Sequence, residues 1–111
     1  MIDALIAGRL YGAVIERTSK TGNRFATTKV RVSMRDGEST FVNVIAFSHG
    51  VIDAMKALAD SDSVAIAGEL AVKTYVDKEG NAKPSLDLIA HSVLSAYHVQ
   101  RKRKIIEDAQ A

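Results

Sequence analysis

The sequence has no cysteine, no tryptophan and a single proline in 111 residues. Without cysteine, neither a disulfide framework nor a thiolate metal site can form. No stretch approaches the roughly 18 uninterrupted apolar residues of a membrane-spanning helix. The start, Met1-Ile2-Asp3-Ala4, lacks the basic region of a secretory signal. These absences predict a soluble, intracellular protein in the cytoplasm. Catalytic signatures are missing as well. There is no Gly-x-x-x-x-Gly-Lys phosphate loop and no Gly-x-Ser-x-Gly elbow. His49, His91 and His98 are far apart, and none shares a metal-ligand motif with a carboxylate or another histidine. Asp77, Glu79 and Asn81 imitate the start of a calcium loop. Ala82, however, stands where such a loop needs glycine, and Leu88 where it needs a bidentate glutamate. The expectation is a chain that is not an enzyme, with no cofactor, metal or small-molecule substrate.

A one-signed charge is lacking over most of the chain. Residues 1–100 hold eleven Lys and Arg against eleven Asp and Glu, and the formal excess of +2 sits in the last eleven residues, with Arg101-Lys102-Arg103-Lys104. Total charge is therefore a weak argument for a nucleic-acid partner, and the arrangement of charges must carry it. The expected organisation is a domain over residues 1–100 and a basic tail over 101–111. That tail is either a phosphate contact or a solvated, frayed end.

The most informative stretch is Thr40-Phe41-Val42-Asn43-Val44-Ile45-Ala46-Phe47. Period-2 alternation sends Val42, Val44 and Ala46 to one face and Phe41, Asn43, Ile45 and Phe47 to the other. Both faces are apolar, so the second needs a cover: a subunit, a helix or a flat ligand such as a nucleobase. Other strands flank it. Ile2 to Ile15 reads as a long first strand, with Gly8 and Gly12 suited to a bend or bulge. Phe25 to Arg35 reads as a second, with Ala26, Thr28, Val30 and Val32 inward and Thr27, Lys29, Arg31 and Ser33 outward. Asp36-Gly37 is a hairpin signal that pairs it with the third.

A helix follows, capped by the Ser48 side chain and carrying a stripe of Ile52, Met55, Leu58 and Ala59. Asp53 stands near its positive end. Asp60-Ser61-Asp62-Ser63 should end it. The fourth strand, Val64 to Val76, sends Val64, Ile66, Gly68, Leu70 and Val72 one way and Ala65, Ala67, Glu69, Ala71, Lys73 and Tyr75 the other. The loop Asp77–Asn81 leads to a fifth, Ser85 to Val93, with Pro84 at its start. Three strands, one helix and two strands is the order of an all-β OB-fold, a five-stranded Greek-key barrel with one helix between strands 3 and 4.

The outward residues then form a constellation. Arg9 comes from strand one, Lys29, Arg31 and Arg35 from strand two, Phe41, Asn43, Ile45 and Phe47 from strand three, and Lys73 and Tyr75 from strand four. Cations flanking aromatics suit a single nucleic-acid strand. Base–aromatic stacking is worth about 1–3 kcal/mol per base, and Lys or Arg neutralises phosphates. Stacking tolerates any base. The plainer alternatives are an aromatic strand packed in a core or interface, and a solvated basic face.

The chain resembles the bacterial single-stranded DNA-binding protein family, homotetrameric OB-fold proteins of replication, recombination and repair. Leu5-Ile6-Ala7-Gly8-Arg9-Leu10 is similar to the family's opening apolar pair and Gly-Arg-Leu. Gly22-Asn23-Arg24-Phe25-Ala26 is similar to its Gly-x-x-Val-Ala, and residues 41–47 to its Trp-His-Arg-Val-Val-Leu-Phe. Residues 64–70 and 73–80 are similar to its Val-x-x-x-Gly-x-Leu and Trp-x-Asp-x-x-Gly. The likeness spans about residues 4–97.

It implies base-stacking roles for Phe41, Phe47 and Tyr75. The smaller rings imply weaker binding than Trp would give, and another stacking Trp of the family has no match around Met34-Arg35-Asp36. It also implies single-stranded DNA as partner, a homo-oligomer (a tetramer, with a dimer as the alternative) and a nucleoid-associated place in the cell. Val42 and Asn43 depart from the family's His-Arg. The family's Gly/Pro/Gln-rich linker and acidic tip have no counterpart, which fits a shortened or accessory member, a mobile-element copy or a primosome-like OB protein. The competing function is an OB-fold adaptor, primosome-like, whose aromatic face packs on protein. Exposure of Phe41, Phe47 and Tyr75 on a basic groove separates the two readings.

Overall fold

The computed structural model describes residues 1–95. The expected domain limit at residue 100, the basic run Arg101–Lys104 and His98 lie outside the described residues. The elements are β1 (Ile2–Thr18), β2 (Arg24–Ser33), β3 (Ser39–Ala46), α1 (His49–Lys56), β4 (Ser63–Val76) and β5 (Ala82–Ser95). The strands close into a barrel in the order β1-β2-β3-β5-β4, with β3 and β5 parallel and every other pair antiparallel. This is the expected OB-fold. Closure pairs both edges of the sheet within the barrel.

Closure depends on β1 serving two neighbours. Its first half, Ile2–Arg9, pairs with β4, and its second half, Arg9–Thr18, pairs with β2. Two glycines permit this in different ways. Gly12 sits in the register shift between Tyr11 and Ile15 with φ +79°, a left-handed conformation that glycine adopts freely. Gly8 is a close approach rather than a bend, because a Cβ there would strike the Arg31 carbonyl oxygen.

Alternation fills the barrel as the pattern predicts. Leu10, Val30, Val42, Val44, Ile66 and Leu88 are fully buried, and α1 caps the core with Val51, Ile52 and Met55. Burying a side chain of this size contributes roughly 1.5–3 kcal/mol.

Several boundaries differ from expectation. Ser48 is the N-cap, but its side chain makes no capping hydrogen bond; its carbonyl accepts from Ile52 N–H instead. The helix ends at Lys56, before Leu58 and Ala59. Leu58 N–H bonds the Met55 carbonyl and Asp62 Oδ2 accepts from Ala59 N–H, which turns the chain back early. Beyond Leu70, β4 parts from β1 and runs on against β5 alone, the two forming an arm past Val72, and Val72 is 57% exposed instead of core. β5 begins at Ala82, and Pro84 lies within it opposite Thr74, ahead of the Leu86–Ile89 stretch that β3 pairs with. The arm turns at Asp77–Asn81, where Asp77 N–H bonds the Asn81 carbonyl and Asp77 Oδ1 accepts from Glu79 and Asn81 N–H. These backbone bonds, led by that from Asn81, hold the Asp77 carboxyl below its usual range, with Lys83 beside it at 3.3 Å.

Candidate nucleic-acid interface

Strand register sets the outer face out in rows. The first runs Arg9–Arg31–Phe41 across β1, β2 and β3. The second runs Tyr11–Lys29–Asn43–Asp87 and reaches β5. A third, Ile15–Thr27–Ile45–Ile89, is apolar apart from the threonine. Beyond it Arg17 stands opposite Phe25, and the Phe25 ring lies 6.5 Å from that of Phe47. Phe47 follows the last residue of β3. It stands about 20 Å along the strand from Phe41 at the ordinary rise per residue.

The aromatics are open to solvent. Phe41 is 44% exposed, Phe47 55% and Tyr75 49%. Their exposure follows from the pleat. With Val42, Val44 and Ala46 turned into the core, odd-numbered side chains of β3 must point out. Tyr75 stands on the arm opposite Lys83.

Two open grooves mark the face. One, of about 700 Å³, has Arg9, Arg31 and Ser33 on one side and runs on to Ala7, Ala65 and Leu94 on the other. The other, of about 340 Å³, includes Tyr11, Ile15, Thr27, Lys29 and Asn43. Arg9 donates from Nη1 to the Ser61 carbonyl at 3.1 Å.

The residues expected at the site are not all equally placed. Arg9, Lys29, Arg31, Phe41 and Asn43 share the two adjoining rows, with Phe47 at the far end of β3. Lys73 and Tyr75 belong to the arm. Lys73 Nζ lies 3.7 Å from Asp87 Oδ2, and Asn43 Nδ2 donates to Asp87 Oδ1 at 3.0 Å. Arg35 differs from expectation. β2 ends at Ser33, so Arg35 lies in the hairpin loop, which the Met34 N–H to Glu38 carbonyl bond closes.

Four residues of the face are additional: Tyr11, Arg17, Phe25 and Asp87. Tyr11 is 56% exposed, and its ring meets Phe41 edge-on with centroids 5.0 Å apart. The alternation of β1 already puts Tyr11 beside Arg9, and the signal missing from the sequence is which strand β1 adjoins.

Residues 1–96 match the sequence profile described as the Single-strand binding protein family. The chain belongs to that family. Solved structures similar in fold include a small single-stranded DNA-binding protein from Streptomyces coelicolor. It is 24% identical with a TM-score of 0.70, over 85% of this chain and 93% of that one. The mitochondrial single-stranded DNA-binding protein Rim1 from S. cerevisiae is 19% identical with a TM-score of 0.68, over 86% and 94%. No curated protein sequence matches the chain. Among the described residues, no helix is long and apolar enough to cross a membrane, and no group of three His, Asp or Glu is arranged to hold a metal ion.

Proposed function

We propose that this member of the single-strand binding family binds single-stranded DNA with little sequence preference and serves replication, recombination or repair as a binding module rather than an enzyme. Bases stack on Phe41, Phe47 and Tyr75, joined by Tyr11. Arg9, Lys29 and Arg31 neutralise phosphates, and Arg35 extends the cationic edge into the hairpin loop. Asn43 and Lys73 border the path at Asp87. The observation that carries this reading is the exposed Tyr11–Phe41 pair set among Arg9, Lys29 and Arg31. Two aromatic rings left in water beside three cations favour a flat anionic ligand over an adaptor's protein partner.

A homo-oligomer, tetrameric or dimeric, is part of the proposal. Its support is an apolar surface that adjoins the first row along the 700 Å³ groove: Leu5 and Leu94 are 72% and 45% exposed, with Ala7, Ala65 and Ala67 between them.

The test is Phe41→Ala and Tyr75→Ala. Each is expected to weaken binding to an oligo-dT by roughly 1–3 kcal/mol, the worth of one stacked base, while the circular dichroism melt stays that of the parent. Unchanged affinity in both variants would overturn the stacking role.

A further inference from the structure

A carboxylate stands on the face that must receive phosphates. Asp87 stands in the second row between Asn43 and Ala71, and three polar groups converge on it. Asn43 Nδ2 donates to its Oδ1 at 3.0 Å, Ser85 Oγ donates to the same oxygen at 3.4 Å, and Lys73 Nζ lies 3.7 Å from Oδ2. The Asp87 side chain is only 33% exposed, whereas that of Lys73 is 71% exposed. The lysine is thus the more solvated partner and the carboxylate the more enclosed one.

Two consequences follow from the chemistry. A carboxylate accepts hydrogen bonds and cannot donate them. Asn43 must therefore turn its NH₂ group toward Asp87. A phosphate needs donors, and here Asn43 already donates to a competing anion while Lys73 stands beside it at ion-pair distance. A phosphate arriving here meets repulsion from Asp87 and gains Lys73 only after that ion pair opens. The cations of the first row carry no such restraint, since Arg9 bonds a neutral carbonyl and Arg31 faces Arg9 and Phe41.

We propose that Asp87 is a positioning residue that holds Lys73 and Asn43 away from the phosphate backbone, so lowering affinity for single strands and confining the phosphate path to Arg9, Arg31 and Lys29. This rests on the DNA-binding reading above. The device keeps the arm's cation in reserve. It weakens binding at one point of a surface that otherwise attracts any polyanion.

The experiment is a fluorescence-anisotropy titration of labelled oligo-dT at several salt concentrations. It uses the full chain and the variants Asp87→Asn, Asp87→Ser, Lys73→Ala and Asp87→Asn/Lys73→Ala. Removing the charge at Asp87 is expected to tighten binding about three- to tenfold and to steepen the salt dependence by about 0.7, the increment for one further phosphate on a single strand. Asp87→Ser gives the same sign if Asp87→Asn disturbs the fold. Lys73→Ala should cost at least about threefold more in the Asp87→Asn background than in the parent, because only there is Lys73 free for phosphate. Weaker or unchanged binding by both neutral variants overturns the proposal, as does an equal cost of Lys73→Ala in the two backgrounds. If the parent binds the strand and the neutral variants gain nothing, only this proposal falls. If the parent does not bind, the DNA-binding reading falls and takes this with it.

Discussion

At the residue scale, Thr28 is the single polar side chain among the described buried residues, and its Oγ1 has no hydrogen-bond partner. A buried hydroxyl left unsatisfied costs about 1–3 kcal/mol, and valine has nearly the same shape. Thr28→Val is therefore expected to raise unfolding stability by about 1 kcal/mol in a urea titration. Lower stability would show that the hydroxyl is satisfied in solution. The inward place of Thr28 was legible from alternation alone, like the outward places of Lys29, Arg31 and Phe41. The partners of those side chains were not. Nothing in the sequence marks out Asp87, because only the parallel pairing of β3 with β5 sets it beside Asn43. The edge-on contact of Tyr11 with Phe41 likewise arises from β1 lying against β2, and that neighbour relation is tertiary.

At the element scale, an ion network ties three elements together at one end of the barrel. Glu16 of β1 takes a 2.6 Å contact from Lys56 of α1 and accepts from Arg24 of β2, which also reaches Asp53 of α1 at 3.0 Å. Hydrogen bonds from Lys56 and then Arg24 hold the Glu16 carboxyl below its ordinary 4.5. A depressed carboxylate contributes stability that is fully present above its unfolded value and is lost as pH falls through the folded one. Glu16→Gln is expected to lower Tm at pH 7, with the difference from the parent shrinking as pH drops below 4.5. A gap that does not narrow as the solution is acidified would contradict the ionic account.

The sequence pattern located every element here but misjudged how some end. An apolar stripe continues past the helix to Leu58, and only the Asp62 side chain's bond to Ala59 N–H shows why the helix does not. The arm was hidden for a related reason. Val72 keeps the inward phase of β4, yet there is no barrel beneath it.

At the scale of the whole molecule, a long first strand closes the barrel and leaves one outer face with aromatic rings at both ends of β3. Arginines flank both groups of rings: Arg9 and Arg31 at Phe41, and Arg17 at Phe25. Residues 1–100 are neutral in sum, so attraction to a polyanion must come from this local arrangement. Duplex DNA stacks its bases inside and offers such a face phosphates alone; a single strand offers both.

The most direct measurement is the affinity of the full chain for a labelled oligo-dT and for a duplex of equal length, by anisotropy across a salt series. The account predicts tight, salt-sensitive binding to the single strand and much weaker binding to the duplex. Equal affinity for both would make the protein a nonspecific polyanion binder and contradict the stacking face.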